Sequence, residues 1–236
     1  MITLQKFGPA MGLPDASPFC VKADVLMKMS GLSYERGHGA LGKAPKGKLP
    51  FLDDDGKIVA DSTFIRWHLE KSHGIDFDPG LSDSEKATAW AFEKLCEDNL
   101  YWATVHARWV DDANFDAGPR HFFAAAPAVV RPLVIAKVRR DVRRSLQGHG
   151  MGRHTRAEIE QLAIHGYAAL SAKLGSKPFL MGDQPCGADA TVFAWVGSLL
   201  SPVFTSAIRT AVEGHANLVD YRDRGLARWY PEMLAA

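Results

Sequence analysis

The chain has 236 residues, 47% of them hydrophobic and 23% charged, with a formal net charge of +1. That is enough apolar mass for one large domain or two smaller ones, with a core that needs no disulfide or metal support. The near-zero charge excludes a global field for nucleic acid or anionic lipid, and no apolar run reaches the ~18 residues of a membrane span.

Cys20, Cys96 and Cys186 are an odd number in a long chain. They argue against a disulfide framework and for a reducing compartment. Met1 to Leu4 lacks the basic and apolar regions of a secretory leader. A cytoplasmic protein is the expectation.

Ile2, Leu4 and Phe7 predict a first strand, and residues 8–15 a loop rich in Gly and Pro. A helix starts at Pro18, with Val21, Val25, Leu26 and Met29 on one face and Gly31 as its stop. Leu32 to Arg36 predicts a second strand, followed by a Gly-rich segment to Gly47. Phe51-Leu52 and Lys57 to Ala60 form a hairpin about Asp54-Asp55-Gly56. Asp61-Ser62 then open a helix whose predicted apolar face is Phe64, Ile65, Trp67 and Leu69. A helix opening in this way after a strand gathers free N–H groups, a hydroxyl and a carboxylate. It suits a carboxylate and an ammonium held close together, as at an amino-acid end; its plainer reading is N-capping. This order of elements is an α/β unit on a mixed sheet over residues 1–75.

His73 to Gly80 has linker composition, and the boundaries drawn are 1–75, a linker at 76–81 and an all-helical part over 82–236. Ser82 and Glu85 form a capping box at the head of a long helix carrying Trp90, Leu95, Leu100, Trp102, His106 and Trp109. Residues 114–119 break the pattern, and Val134, Val138 and Val142 space the next helix. Thr155 and Glu158 repeat the capping box, in a helix ending at Gly175. Residues 177–183 form a loop with apolar members, 189–200 an apolar helix, and 207–212 with 229–230 shorter ones. The basic run Lys137 to Arg144 reads as the solvent face of an amphipathic helix in preference to a nucleic-acid or membrane surface. His149, His154 and His165 lack metal-ligand spacing and a nearby Cys, so no metal is expected.

The layout resembles the glutathione transferases, and specific residues carry the resemblance. Ser17-Pro18-Phe19 resembles the serine motif of the tau class. Ala44-Pro45-Lys46-Gly47-Lys48-Leu49-Pro50 is similar to the superfamily's Asn-Pro-x-Gly-Lys-Val-Pro, with Ala44 replacing Asn. Asp61-Ser62 matches its Glu/Asp-Ser pair, and Gly182 to Asp189 its helical-domain box, with Cys186 replacing the usual capping Ser or Thr. A thiol is a weak acceptor, so that cap is expected to be poorer by about 1 kcal/mol. Ser17-Pro18-Phe19-Cys20, Leu100-Tyr101-Trp102 with Arg108-Trp109, 150–155 and 189–193 bring the chain closer to the metaxin-like and failed-axon-connections-like branch. The resemblance implies a thioredoxin-like α/β N-terminal domain binding glutathione and an all-α C-terminal domain shaping a site for a small hydrophobic electrophile. It also leaves room for a homodimer.

Glutathione attacks electrophiles as a thiolate, and lowering a thiol pKa of 8.5 by about two units takes roughly 2.7 kcal/mol. A hydroxyl at a helix N-terminus is a source of that magnitude. Ser17 is placed for it, although Ser before Pro is also an ordinary helix start. Cys20 lies one turn on, either as a second, redox-type group or as a small packed residue. The resemblance makes Pro50 a cis-proline, with Leu49 pairing to the cysteinyl unit. Lys48, with Lys46 competing, would face the glycine carboxylate. Ser62 would bind the γ-glutamyl carboxylate and Asp61 would stand near its ammonium. Tyr101, Trp102, His106 and Trp109 would line the acceptor site, three of them at i, i+4, i+7 spacing; such a stripe can equally be core. The leading expectation is a serine-type glutathione transferase. The alternatives are a non-catalytic, metaxin-like module and, more weakly, a Cys20-based thiol reductase or peroxidase.

Overall fold

The computed structural model describes residues 1–234. Its first half is a four-stranded sheet in the order β2-β1-β3-β4. The strands are β1 (Ile2–Lys6), β2 (Tyr34–His38), β3 (Phe51–Asp54) and β4 (Lys57–Ala60). β1 runs parallel to β2 and antiparallel to β3, with Leu4 opposite Leu52. Helix α1 (Pro18–Ser30) connects β1 to β2, and α2 (Ser62–His73) follows β4. Asp55 (φ 53°) and Gly56 (φ 91°) make the two-residue turn between β3 and β4, the positive-φ pair that matches strand twist. β2 begins two residues later than the sequence pattern predicts and lies exposed at the sheet edge, where apolar alternation is not required.

Gly31 (φ 70°) and Gly74 (φ 66°) end α1 and α2 in the left-handed region that glycine tolerates. α1 is buried on almost every side, because the sheet and α2 cover one flank and a helix of the second half covers the other. Lys22 and Asp24 are therefore buried along with Val21, Val25 and Leu26.

The second half is helical. α3 (Asp83–Lys94) and α4 (Tyr101–Trp109) are joined without a break by a π-helical segment, Leu95–Leu100. The one long helix expected from sequence is thus locally widened, and Cys96 and Glu97 are buried at the widened turns. α5 (Asp112–Ala117), α6 (Arg131–His149), α7 (Arg156–Leu174), α8 (Gly187–Leu199), α9 (Ala207–Glu213) and α10 (Ala216–Trp229) complete it, and both predicted capping boxes are present. α8 is apolar and buried nearly all round, and it packs on α1 and α10. No helix among the described residues is long and apolar enough to cross a membrane.

Buried charges fasten the halves together. Lys22 Nζ lies 3.0 Å from Glu93 and 2.5 Å from Glu97. Arg66 of α2 pairs with the same Glu93 (2.6 Å), with Glu70 (2.8 Å) and with Asp78. Thr191 of α8 donates to Glu93 at 3.0 Å. A second cluster gathers on Asp24, which accepts from Tyr34 (2.9 Å), Arg36 (3.1 Å) and Tyr230 (2.8 Å), with Lys6 3.6 Å away.

Local expectations meet the packing at three places. The α2 core face is Ile65 and Leu69, i, i+4 over the sheet, whereas Phe64 and Trp67 are exposed. At the head of α8 the capping box is completed from the other side: the Asp189 carboxylate accepts from the N–H groups of Cys186 and Leu180, both at 2.8 Å, and from Tyr221. On α6 Val142 packs against the core as expected, joined by buried Ile135 and Leu146, while Val134 faces outward.

Candidate functional site

Two helix heads stand side by side on the sheet. Ser17 is the N-cap residue of α1, with extended backbone (φ −109°, ψ 127°) and Pro18 following. Its hydroxyl makes no capping hydrogen bond. The loop before it is held by Asp15, whose buried carboxylate accepts from Ser17 N–H (3.0 Å) and Gly8 N–H (2.7 Å), with Lys6 3.8 Å away. Burial pushes the Asp15 carboxyl up, against those donors and that cation. Asp15 was read from sequence only as part of a Gly- and Pro-rich loop. The Asp-x-Ser spacing, an Asx-turn pattern, is the signal that marks it as the residue positioning Ser17.

The second head is Asp61-Ser62. Asp61 caps α2, accepting from Thr63 N–H at 2.9 Å, and its N–H donates to the Pro50 carbonyl at 3.4 Å. That bond joins the Leu49-Pro50 segment, whose peptide is cis, to the head of α2. Asp61 has φ +90°, a region that non-glycine residues occupy at a cost of order 1–3 kcal/mol. Ser62 is buried, and among the described residues its hydroxyl has no hydrogen-bond partner. Leu49 is buried over the end of β1, where Gly39 leaves room: a Cβ there would lie 2.5 Å from a Leu49 methyl. Lys22 of α1 reaches Thr63 of α2 at 3.4 Å, so both helices start in one neighbourhood. Lys46 stacks its ammonium over the Phe64 ring at 4.4 Å, while Lys48 is exposed.

Cys20 faces the interior and is fully buried. Burial, reinforced by the Asp15 carboxylate, pushes its thiol well up. The packed-residue reading therefore fits it better than the redox one.

The four aromatic and histidine positions on α4 do not share one wall. Tyr101 packs edge-on against Phe19, two residues after Ser17, at 5.0 Å between ring centroids, and approaches Trp195 of α8. Trp102 also touches Tyr101 but stacks on His149 at 4.6 Å. His106 opens into a separate cavity of about 200 Å³ with Asp111, Arg156 and Ile208. Trp109 rests on Phe115 at 5.9 Å. The physical reason is that α4 is surrounded by α5, α6 and α7, so positions on one nominal face meet different neighbours. Burial lowers the His106 pKa, and no carboxylate stands within ion-pairing distance of it among the described residues. Arg108, quoted from sequence only as part of the branch resemblance and given no role there, is the buried polar residue of this helix. It donates to the carbonyl and, at 2.9 Å, to the hydroxyl of Ser198, and burial brings its pKa down to about 10. Trp195 Nε1, beneath Phe19 and Tyr101, is the one side-chain polar atom among the described residues that is wholly shut off from solvent and has no partner.

Comparison with known proteins shows the family and the fold. Residues 18–114 match the family model described as Glutathione S-transferase N-terminal domain, and residues 163–225 match Glutathione S-transferase, C-terminal domain. The chain is 31% identical over 231 residues to the isoprene-epoxide–glutathione S-transferase of Rhodococcus sp. (strain AD45), covering 95% of this chain and 97% of that one. It is 27% identical to Failed axon connections of Drosophila melanogaster (98% of this chain, 59% of that one). It is 30% identical to metaxin-1 of Mus musculus (80% and 62%). The beta-etherase of Sphingobium sp. strain SYK-6 superposes with a TM-score of 0.72 at 20% identity, over 99% of this chain and 98% of that one, a likeness of fold.

Proposed function

We propose a function from one premise: the chain belongs to the glutathione S-transferase family. Within it, the reading is a glutathione transferase of the serine type that conjugates the thiolate to a small hydrophobic electrophile, as in detoxification. The observation that carries it is the pair of adjacent helix heads, each with a serine whose hydroxyl makes no capping bond.

Glutathione would lie across these heads as an extended peptide. The γ-glutamyl carboxylate would meet Ser62 and the free N–H groups of α2, with Asp61 beside its ammonium. Leu49, ahead of Pro50, would offer backbone groups to the cysteinyl unit. Lys48 would neutralise the glycine carboxylate, since Lys46 is engaged with Phe64. Ser17 would donate its hydroxyl hydrogen to the sulfur, stabilising thiolate over thiol. The thiolate then forms a carbon–sulfur bond while the electrophile's leaving group, or its opened epoxide oxygen, takes the electron pair. Tyr101 is the acceptor-site candidate nearest this chemistry, through Phe19. Trp102, His106 and Trp109 serve packing or other surfaces.

The same family contains metaxin-1 and Failed axon connections among this chain's relatives. One observation favours a non-catalytic module of that kind. The cavity between the α1 head and α8, lined by Pro14, Asp15, Pro18 and Phe193, holds only about 70 Å³. The strip of exposed Phe64, Trp67 and Trp90, with Trp67 and Trp90 stacked at 6.2 Å, supports pairing of two copies. Three free, buried cysteines support a reducing, cytoplasmic setting.

The test is glutathione calorimetry with conjugation kinetics on a generic aromatic electrophile. A hydrogen bond to an ionised acceptor is worth about 1.5–3 kcal/mol, so Ser17→Ala should raise the bound thiol's pKa by about 1–2 units. From a bound pKa of about 6.5, the thiolate fraction and with it the rate at pH 7 should fall about 3- to 25-fold and recover in alkali, with glutathione affinity little changed. An unchanged pH–rate profile would remove Ser17 from the mechanism. No binding at millimolar glutathione would leave the module.

A further inference from the structure

The C-terminal end of α2, remote from the paired helix heads, carries a cluster the proposed reaction does not use. His68 and His73 of α2 each place Nε2 2.7 Å from one and the same oxygen, Oδ2 of Asp54 at the end of β3. These three potential ligand atoms lie within 4.8 Å of one another. His68 and His73 lie six and eleven residues beyond Ser62 on the helix, roughly 9 and 16 Å at 1.5 Å per residue. The cluster is therefore distinct from the Ser17 and Ser62 neighbourhood.

We propose that Asp54, His68 and His73 form a divalent transition-metal site, with zinc its best chemical match, that clamps the end of α2 to the β3–β4 hairpin. Two imidazole nitrogens and one carboxylate oxygen are the ligand set that zinc takes with water in a fourth position. Tetrahedral bonds of about 2.0–2.1 Å put neighbouring ligand atoms about 3.3 Å apart, so Asp54 Oδ2 needs to withdraw by about 0.6 Å from each ring and the two Nε2 atoms, within 4.8 Å of one another, to settle at the same spacing. A side-chain rotation of that size leaves the backbone in place.

The surroundings fit as well. Ser72 Oγ lies 3.2 Å from His68 Nδ1, placed to accept that N–H and so leave Nε2 as the lone-pair atom facing the site. The rings stand nearly perpendicular (81°), with centroids 5.8 Å apart. The negative end of the α2 dipole, in the turn closed by Gly74, favours a cation there. His68 is nearly buried, whereas His73 and Asp54 keep a solvent-facing edge that offers an entry path and a position for water.

The experiment uses the full chain, stripped with a chelator and titrated with zinc alone at pH 7.5 by calorimetry. Cobalt absorption would report the ligand field, and melting with and without zinc the stabilisation. The expected result is one zinc per chain with micromolar or tighter affinity and a raised melting temperature. His73→Asn, which alters the most exposed ligand, should weaken binding at least tenfold, and Ser72→Ala about tenfold. Asp54→Asn should weaken it too, giving a second route if one variant folds poorly. No zinc binding below about 100 μM, or binding that His73→Asn and Asp54→Asn leave unchanged, would overturn the site and leave a hydrogen-bonded His–Asp–His cluster. Neither result depends on glutathione binding.

Discussion

Replacing Lys22 by Met tests what fastens the two halves. Lys22 is completely buried in α1 and lies 3.0 Å from Glu93 and 2.5 Å from Glu97 of the second half. Methionine has nearly the same length and fills the same volume, so the change removes the charge and leaves packing almost intact. Breaking one partner out of a buried ion pair typically costs about 3–5 kcal/mol, because a carboxylate is left uncompensated. Here Glu93 keeps Arg66 at 2.6 Å and Glu97 keeps Lys94, so the low end, about 3 kcal/mol, is expected. For a chain of this size that lowers the melting temperature by about 6–12 °C.

The pH dependence gives the diagnostic. Burial opposes the Lys22 charge, but Glu93 and Glu97 outweigh it and raise its pKa above 10.5. Its contribution is full below 10.5 and is lost as pH rises through the higher folded value. Burial likewise opposes the Glu93 carboxylate, but Lys22 and Arg66 outweigh it and hold its pKa below 4.5. Its contribution is present above 4.5 and is lost as pH falls through the lower folded value. The gap between wild type and Lys22→Met should therefore be widest across neutral pH and close below about pH 4.5, as the orphaned Glu93 carboxylate protonates. Urea unfolding followed by fluorescence from pH 3 to 9 measures it. A neutral-pH difference under 1 kcal/mol, or one that fails to shrink in acid, would refute the reasoning.

Asp61→Gly removes the φ +90° strain and keeps a cap-tolerant residue, so stability should hold or rise by up to about 1 kcal/mol while glutathione affinity falls. Asp61→Ala keeps the strain and loses the cap, and should cost about 1 kcal/mol; equal melting temperatures for the two variants would contradict the assignment. The Cys20 thiol, buried and pushed up in pKa, should resist iodoacetamide at pH 8 in the native chain and react in urea, as read by mass spectrometry. Rapid native labelling would restore it as a reactive cysteine. Trp67→Glu should turn a dimer into a monomer in light scattering if the Phe64–Trp67–Trp90 strip pairs two copies; an unchanged mass would exclude that surface.

Local chemistry alone determined much of this protein. Pro18 and Gly31 bound α1, Asp55-Gly56 turn the hairpin, and the Ser82/Glu85 and Thr155/Glu158 boxes start α3 and α7. Each is a contact within a few residues, so spacing along the chain reveals it. The pairing of Leu49-Pro50 with Asp61-Ser62 was legible for the same reason, being neighbours across one short hairpin. Tertiary packing decided the rest. Helical spacing gathers Phe64 and Trp67 with Ile65 and Leu69, but only the sheet beneath selects the last two for the core. It groups Trp102, His106 and Trp109, but three different helices surround α4 and divide them. His68 and His73, five residues apart, sit about 140° apart around an ideal helix. They converge because Asp54, from a strand, reaches between them at the helix end. Lys22 reads as a surface lysine until the second half closes over α1, with α3 supplying Glu93 and the π turn Glu97. Contacts of this kind depend on which surfaces meet in three dimensions, and no period along the chain encodes that.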